Sequence, residues 1–124
     1  MSAEKAVTDV INVYLEALRT NNGPQFLEAF TPDSTVTHAA VADRTVSTVS
    51  ITEFIEQVKG FHAQFGTVVE TPDKIQVDLS EPVAGVRVDF TIALGNDVTM
   101  TGTDFFSLAQ VMGRWYITSK LYSM

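Results

Sequence analysis

MTGTDFFSLAQVMGRWYITSKLY, from Met100 to Tyr122, organises this chain. It reads as two paired strands, Met100–Gln110 and Arg114–Tyr122, joined by a tight turn at Val111–Gly113. Side chains alternate across a strand, so Met100, Phe106 and Leu108 share the face expected to meet a core. Asp104 has the same parity. A carboxylate among aromatic and aliphatic neighbours is costly to bury unless it is paired or used. Asp104 therefore becomes a candidate functional group.

Working back from this hairpin, period-two alternation continues to about Thr67. Val86, Val88, Phe90, Ile92 and Leu94 alternate with Arg87, Asp89, Thr91 and Ala93, and Gly95-Asn96-Asp97 is a hairpin turn. Ser80-Glu81-Pro82 is another turn. Before it, Val69, Ile75, Val77 and Leu79 mark a long strand, with a bulge expected where Thr71-Pro72 removes a ladder donor. The outward parity collects Arg87, Asp89, Thr91, Thr101, Thr103, Phe105, Tyr116 and Tyr122. Threonines mixed with aromatics are what a sheet face covered by a second copy would show, so a homodimer through this face is expected.

The first half of the chain has helical periodicity instead. Ser2 is an N-cap with Glu4 in the first turn, and Val7, Val10, Ile11, Tyr14, Leu15 and Leu18 form one apolar stripe. Asn21-Asn22-Gly23 ends that helix, and Pro24–Phe30 reads as a short second one burying Phe26, Leu27 and Phe30. After a turn at Thr31-Pro32-Asp33-Ser34 comes a strand, Thr35–Val41, with Val36, His38 and Ala40 on one face. Thr45–Val49 is a short β-rich run. Ser50-Ile51-Thr52-Glu53 is a capping box opening a third helix, whose inward side is Ile51, Phe54, Ile55, Val58, Phe61 and His62. Gly60 and Gly66 predict fraying at its end. Helices first and antiparallel strands after give one α+β domain over residues 1–124.

Composition closes off several classes. With 45% hydrophobic and 19% charged residues the chain is globular, and the absence of cysteine excludes disulfides and thiol chemistry. A net charge of −7 with eight scattered basic residues argues against nucleic acid. No apolar run approaches a membrane span and the N-terminus lacks the pattern of a signal peptide, so the cytoplasm is the expected location. Two distant histidines provide too few ligands for a closed metal site, and no phosphate-cradling loop is present, so neither metal nor cofactor is expected.

An aromatic-ended helix followed by Thr31-Pro32-Asp33-Ser34-Thr35-Val36 resembles the NTF2-like superfamily, which includes SnoaL-like and ketosteroid isomerase-like proteins. The closing segment, Asp104-Phe105-Phe106-Ser107-Leu108 through Gly113-Arg114-Trp115-Tyr116-Ile117 to Lys120, resembles the branch labelled "putative lumazine-binding". The resemblance implies three N-terminal helices packed on a curved, mixed and mostly antiparallel sheet, a cone with a pocket at its open end. It also implies dimers through the outer sheet face. Such folds host isomerases, dehydratases, cyclases and non-catalytic proteins alike.

Within that resemblance, Tyr14 matches the helix-one tyrosine of ketosteroid isomerases, and Asp104 matches their late-strand aspartic acid. His38 falls where those enzymes carry a carboxylate base. The leading expectation is a protein binding a small apolar or flat ligand in the cone. Phe30, Phe54, Val58, Phe61, Val88, Phe90, Met100, Phe106 and Trp115 would line its pocket. The alternative is a cofactor-free isomerase, dehydratase or cyclase with His38 as general base and Tyr14 and Asp104 as oxyanion donors. An ionised Asp104 beside His38 would instead make a His–Asp dyad. His62 is read as facing solvent.

Overall fold

The computed structural model describes residues 2–124. Two helices, α1 (Ala3–Thr20) and α2 (Gly23–Ala29), precede strands β1 (Phe30–Ala40) and β2 (Thr45–Ser50). Helix α3 (Ile51–Phe65) then leads into a four-stranded meander, β3 (Val68–Ser80), β4 (Val83–Leu94), β5 (Val98–Val111) and β6 (Arg114–Ser123). The strands form one sheet in the order β2-β1-β6-β5-β4-β3, parallel only where β1 meets β6. This is the α+β cone architecture expected from the sequence.

Local chemistry sets the helix ends. The Ser2 hydroxyl accepts from the Lys5 amide, and Asn21 closes α1 in the left-handed region at φ 55°. Ser50 and Glu53 form the reciprocal capping box of α3. That helix runs unbroken through Gly60 to Phe65, against the expected fraying; Gly66, at φ 85°, serves as its C-cap. Helix α2 stops at Ala29 and leaves Leu27 exposed, and Phe30 begins β1. Thr31–Ser34 is therefore not a free turn but an irregular part of β1, where its register against β6 shifts.

The helices cover the inner face of the sheet. Val7, Ile11 and Tyr14 of α1, Phe26 of α2, and Phe54 and Val58 of α3 meet Val88, Phe90, Phe106, Leu108 and Ile117 in one core. Tyr14 sits at its centre, with the rings of Phe106, Phe30 and Phe26 at 5.5, 5.8 and 6.1 Å.

Two β-bulges control which residues enter this core. On β3, Pro72 pairs with Phe90 and Lys74 with Asp89, leaving Asp73 as an extra residue. Alternation resets there. Val68 and Glu70 face inward before the bulge and Ile75 and Val77 after it, so the bulge expected at Thr71-Pro72 is present, while Val69, grouped by sequence with Ile75 and Val77, points out. On β6, Ser119 pairs with Ser107 and Ile117 with Leu108, making Thr118 the extra residue. Trp115 and Ile117 face inward before it, Lys120 and Tyr122 after it, so Tyr122 is buried and not on the outer face. Met100 occupies the inner parity beside Ile92 but remains 38% exposed.

Candidate functional site

A buried polar cluster occupies the floor of the cone. Tyr14 arrives from α1, Glu70 from β3, Asp104 from β5 and Lys120 from β6, each at most 7% exposed. The Lys120 ammonium donates to the Tyr14 hydroxyl at 2.7 Å, and that hydroxyl donates to Glu70 Oε1 at 3.2 Å. Lys120 Nζ lies 3.7 Å from Asp104 Oδ1. It also lies over the rings of Tyr122, Tyr14 and Phe54 at 4.3, 4.8 and 4.8 Å, so aromatic faces replace part of its lost hydration.

The cluster contains two carboxyls and one ammonium. Burial raises the Glu70 carboxyl to about 8, reinforced by the negative charge of Asp104. Burial also raises Asp104, but the Lys120 ammonium pulls it back. At neutral pH Glu70 therefore holds its proton, while the Lys120 ammonium beside Asp104 favours the ionised form of that carboxyl. Glu70 Oε2 and both carboxyl oxygens of Asp104 are buried with no N–H or hydroxyl donor within hydrogen-bond reach. Burial lifts the Tyr14 hydroxyl well above its ordinary value, so it stays a donor. Tyr122 is pushed up to about 12, chiefly by burial and then by the two carboxylates.

His38 stands apart. It pairs with Tyr122 on β6, which pairs with Asp104 on β5, so Tyr122 intervenes in one row across the sheet. Two strand spacings put the His38 and Asp104 backbones roughly 10 Å apart. The His38 ring stacks on Tyr122 at 4.5 Å and 8°, and its Nε2 is buried without a hydrogen-bond partner. In place of the His38–Asp104 dyad, one of the two arrangements left open by the sequence, His38 forms a stack with Tyr122.

Two spaces flank Tyr122. A groove with about 420 Å³ of room for water centres is lined by Val36, His38, Ser47, Val49, Gln57, Gly60, Phe61, Gln64, Tyr122 and Met124. Deeper in the cone, a chamber of about 30 Å³ is walled by Tyr14, Glu70 and Lys120 together with Phe54, Val58, Phe90 and other apolar side chains. Phe61, Tyr122 and Met124 line both.

The sequence-predicted site residues divide accordingly. Phe54, Val58, Phe61 and Phe90 line the chamber, and Phe61 also lines the groove. Phe30, Val88 and Phe106 are packed core, Phe30 and Phe106 directly against Tyr14. Met100 is on the partly exposed rim, and Trp115 borders a separate surface hollow with Val10 and Arg114. His62 does not face solvent freely: its Nε2 donates to the Leu18 carbonyl at 2.7 Å, tying α3 to the end of α1. Glu70 and Lys120 escaped the sequence reading because each lies beyond or before a bulge. The expected irregularity at Thr71-Pro72 was the one available signal for Glu70.

The family model described as "Putative lumazine-binding" matches residues 2–123. The chain belongs to this family. Among solved structures, an NTF2-like protein of unknown function from Shewanella baltica is 22% identical with a TM-score of 0.76, over 98% of this chain and 95% of that one. A protein described as a putative scytalone dehydratase from Novosphingobium aromaticivorans is 18% identical with a TM-score of 0.78, over 96% and 81%. One described as a putative ketosteroid isomerase from Shewanella frigidimarina is 18% identical with a TM-score of 0.75, over 95% and 94%. At these identities the likeness concerns the fold. No curated protein matches the sequence. Among the described residues of this family member, no helix is long and apolar enough to cross a membrane.

Proposed function

We propose that this protein binds a flat, polar ring compound of the lumazine class in the groove at the open end of the cone. The observation that carries the reading is the half-buried His38 in the groove wall, whose Nε2 has no hydrogen-bond partner within the protein. A buried nitrogen of this kind calls for a hydrogen-bond partner, which a seated ligand supplies. The stacked His38 and Tyr122 rings offer a planar wall, and Phe61, Val36 and Val49 give apolar contact. Gln57 and Gln64 each carry an amide donor and acceptor, matching the alternating carbonyl and ring-nitrogen edge of a pteridine-dione.

Binding is favoured over proton-transfer catalysis by the same geometry. Catalysis with His38 as base and Tyr14 and Asp104 as oxyanion donors requires all three on one ligand. Tyr14 faces the inner chamber and His38 the groove, and the Tyr14 hydroxyl is committed to Glu70 and Lys120. Pairing of two copies through the outer sheet face belongs to the same proposal. Phe105 and Leu121 are cross-strand partners there, each 48% exposed, with Arg87 over the Phe105 ring at 5.5 Å.

Calorimetric titration of lumazine into wild type, His38→Ala and Gln57→Ala tests the groove. Each variant is expected to bind about tenfold more weakly, the effect of one lost hydrogen bond of about 1.4 kcal/mol. Equal affinity in all three proteins removes the groove from the account.

A further inference from the structure

The groove leaves the buried acid of Glu70 unexplained. The chamber below it has about 30 Å³ for water centres, roughly enough for two waters. The side chains of Phe61, Tyr122 and Met124 line both the chamber and the groove. Glu70 lines this chamber at 7% exposure, with Oε1 held by the Tyr14 hydroxyl and Oε2 without an N–H or hydroxyl partner.

The ionisable groups facing Glu70 can be counted element by element. Helix α1 contributes Tyr14, β5 contributes Asp104, and β6 contributes Lys120 and Tyr122. On β4 its cross-strand partner is the apolar Ile92, and α3 brings only Phe54, Val58 and Phe61 to the chamber. His38 of β1 lies on the groove side of Tyr122, and His62 is committed to the Leu18 carbonyl. With Lys120 balancing one carboxylate, a single proton on the Glu70–Asp104 pair makes the cluster neutral, the state a low-dielectric floor favours.

We propose that the chamber is an inner subsite in which protonated Glu70 donates a hydrogen bond to an acceptor atom on the leading edge of the planar ligand. That acceptor is a ring nitrogen or carbonyl oxygen, and the ligand edge reaches it by displacing the Phe61 and Met124 side chains. Asp104 then keeps Lys120 as its counter-ion while the Glu70 hydroxyl turns to the ligand. The inference rests on the groove reading and adds to it that bound ligands carry an acceptor, not a donor, at their deep end. Glu70 titrates at about 8, so this donor is present at neutral pH and lost in alkali.

The test uses 1,3-dimethyllumazine, whose methylated ring nitrogens leave it no N–H to titrate, with affinity measured calorimetrically from about pH 7 to about pH 10. In wild type, affinity is expected to hold up to about pH 8 and then to fall towards tenfold per pH unit as binding takes up one proton. Glu70→Gln, whose amide still donates but cannot titrate, is expected to bind with a flat profile. Should that variant fail to fold, proton uptake by wild type, measured in two buffers of different ionisation heat, reads the same titration. Zero uptake above about pH 8 overturns the inner subsite. A flat wild-type profile with binding still weakened by His38→Ala overturns the subsite and leaves the groove standing. No binding at any pH, either of this probe or of lumazine itself at about pH 7, overturns both.

Discussion

The Lys120 ammonium donates to the Tyr14 hydroxyl at 2.7 Å, across a separation of 106 residues. This bond links the first helix to the last strand inside the core and holds the only basic side chain buried among the described residues. Its partner charge, Asp104, is fully buried, so the cluster depends on all of its members at once.

Replacing Lys120 with methionine keeps the volume and removes the charge. Asp104 is then a buried carboxylate without a counter-ion, a loss of about 3–5 kcal/mol where protonation does not relieve it. Urea unfolding at neutral pH measures it. Lys120→Met combined with Asp104→Asn is expected to recover part of the loss, and a double variant no better than the single one contradicts the ion pair.

Glu70 gives stability an unusual pH dependence. Its folded value of about 8 lies above the unfolded value of about 4.3, so the folded chain holds the proton over the interval between them. The unfolded chain releases its proton first as pH rises. Glu70 therefore stabilises fully in acid, loses that contribution between about pH 4.3 and about pH 8, and is level above. The slope approaches at most about 1.4 kcal/mol per pH unit. Subtracting the stability curve of Glu70→Gln from that of wild type isolates this contribution, and a difference that rises with pH contradicts it.

Gly102 on β5 faces Phe90 on β4. A Cβ there would collide with the Ser123 carbonyl and stand 2.6 Å from the Phe90 ring. Backbone on one side and a core ring on the other leave little freedom to yield. Gly102→Ala is expected to cost about 1–3 kcal/mol as an overpacking change, read as a lower thermal midpoint. An unchanged midpoint shows that the strand can shift to accommodate a methyl group.

The exposed pair Phe105 and Leu121 bears on the proposed pairing of two copies. Sedimentation equilibrium at micromolar concentration is expected to give twice the chain mass for wild type and the chain mass for Phe105→Glu. Wild type sedimenting as a single chain ends the proposal.

Local sequence was enough for the elements and for the inward carboxylate. Apolar spacing from Val7 to Leu18, the Ser50–Glu53 box and the alternation around Phe106 each depend on residues a few positions apart. Asp104 was legible for the same reason, having no bulge between it and its apolar neighbours on β5. Glu70 and Lys120 were not. Each owes its inward direction to one extra residue, Asp73 or Thr118, which reverses the parity of positions on one side of it relative to the other. Where such a residue falls is fixed by pairing with a neighbouring strand, which no local pattern contains. The separation of His38 from Asp104 is likewise tertiary, because it depends on β6 inserting between β1 and β5. Strand pairing thus converted one anomalous aspartate into a four-residue buried cluster, and moved the histidine from its company into the groove above.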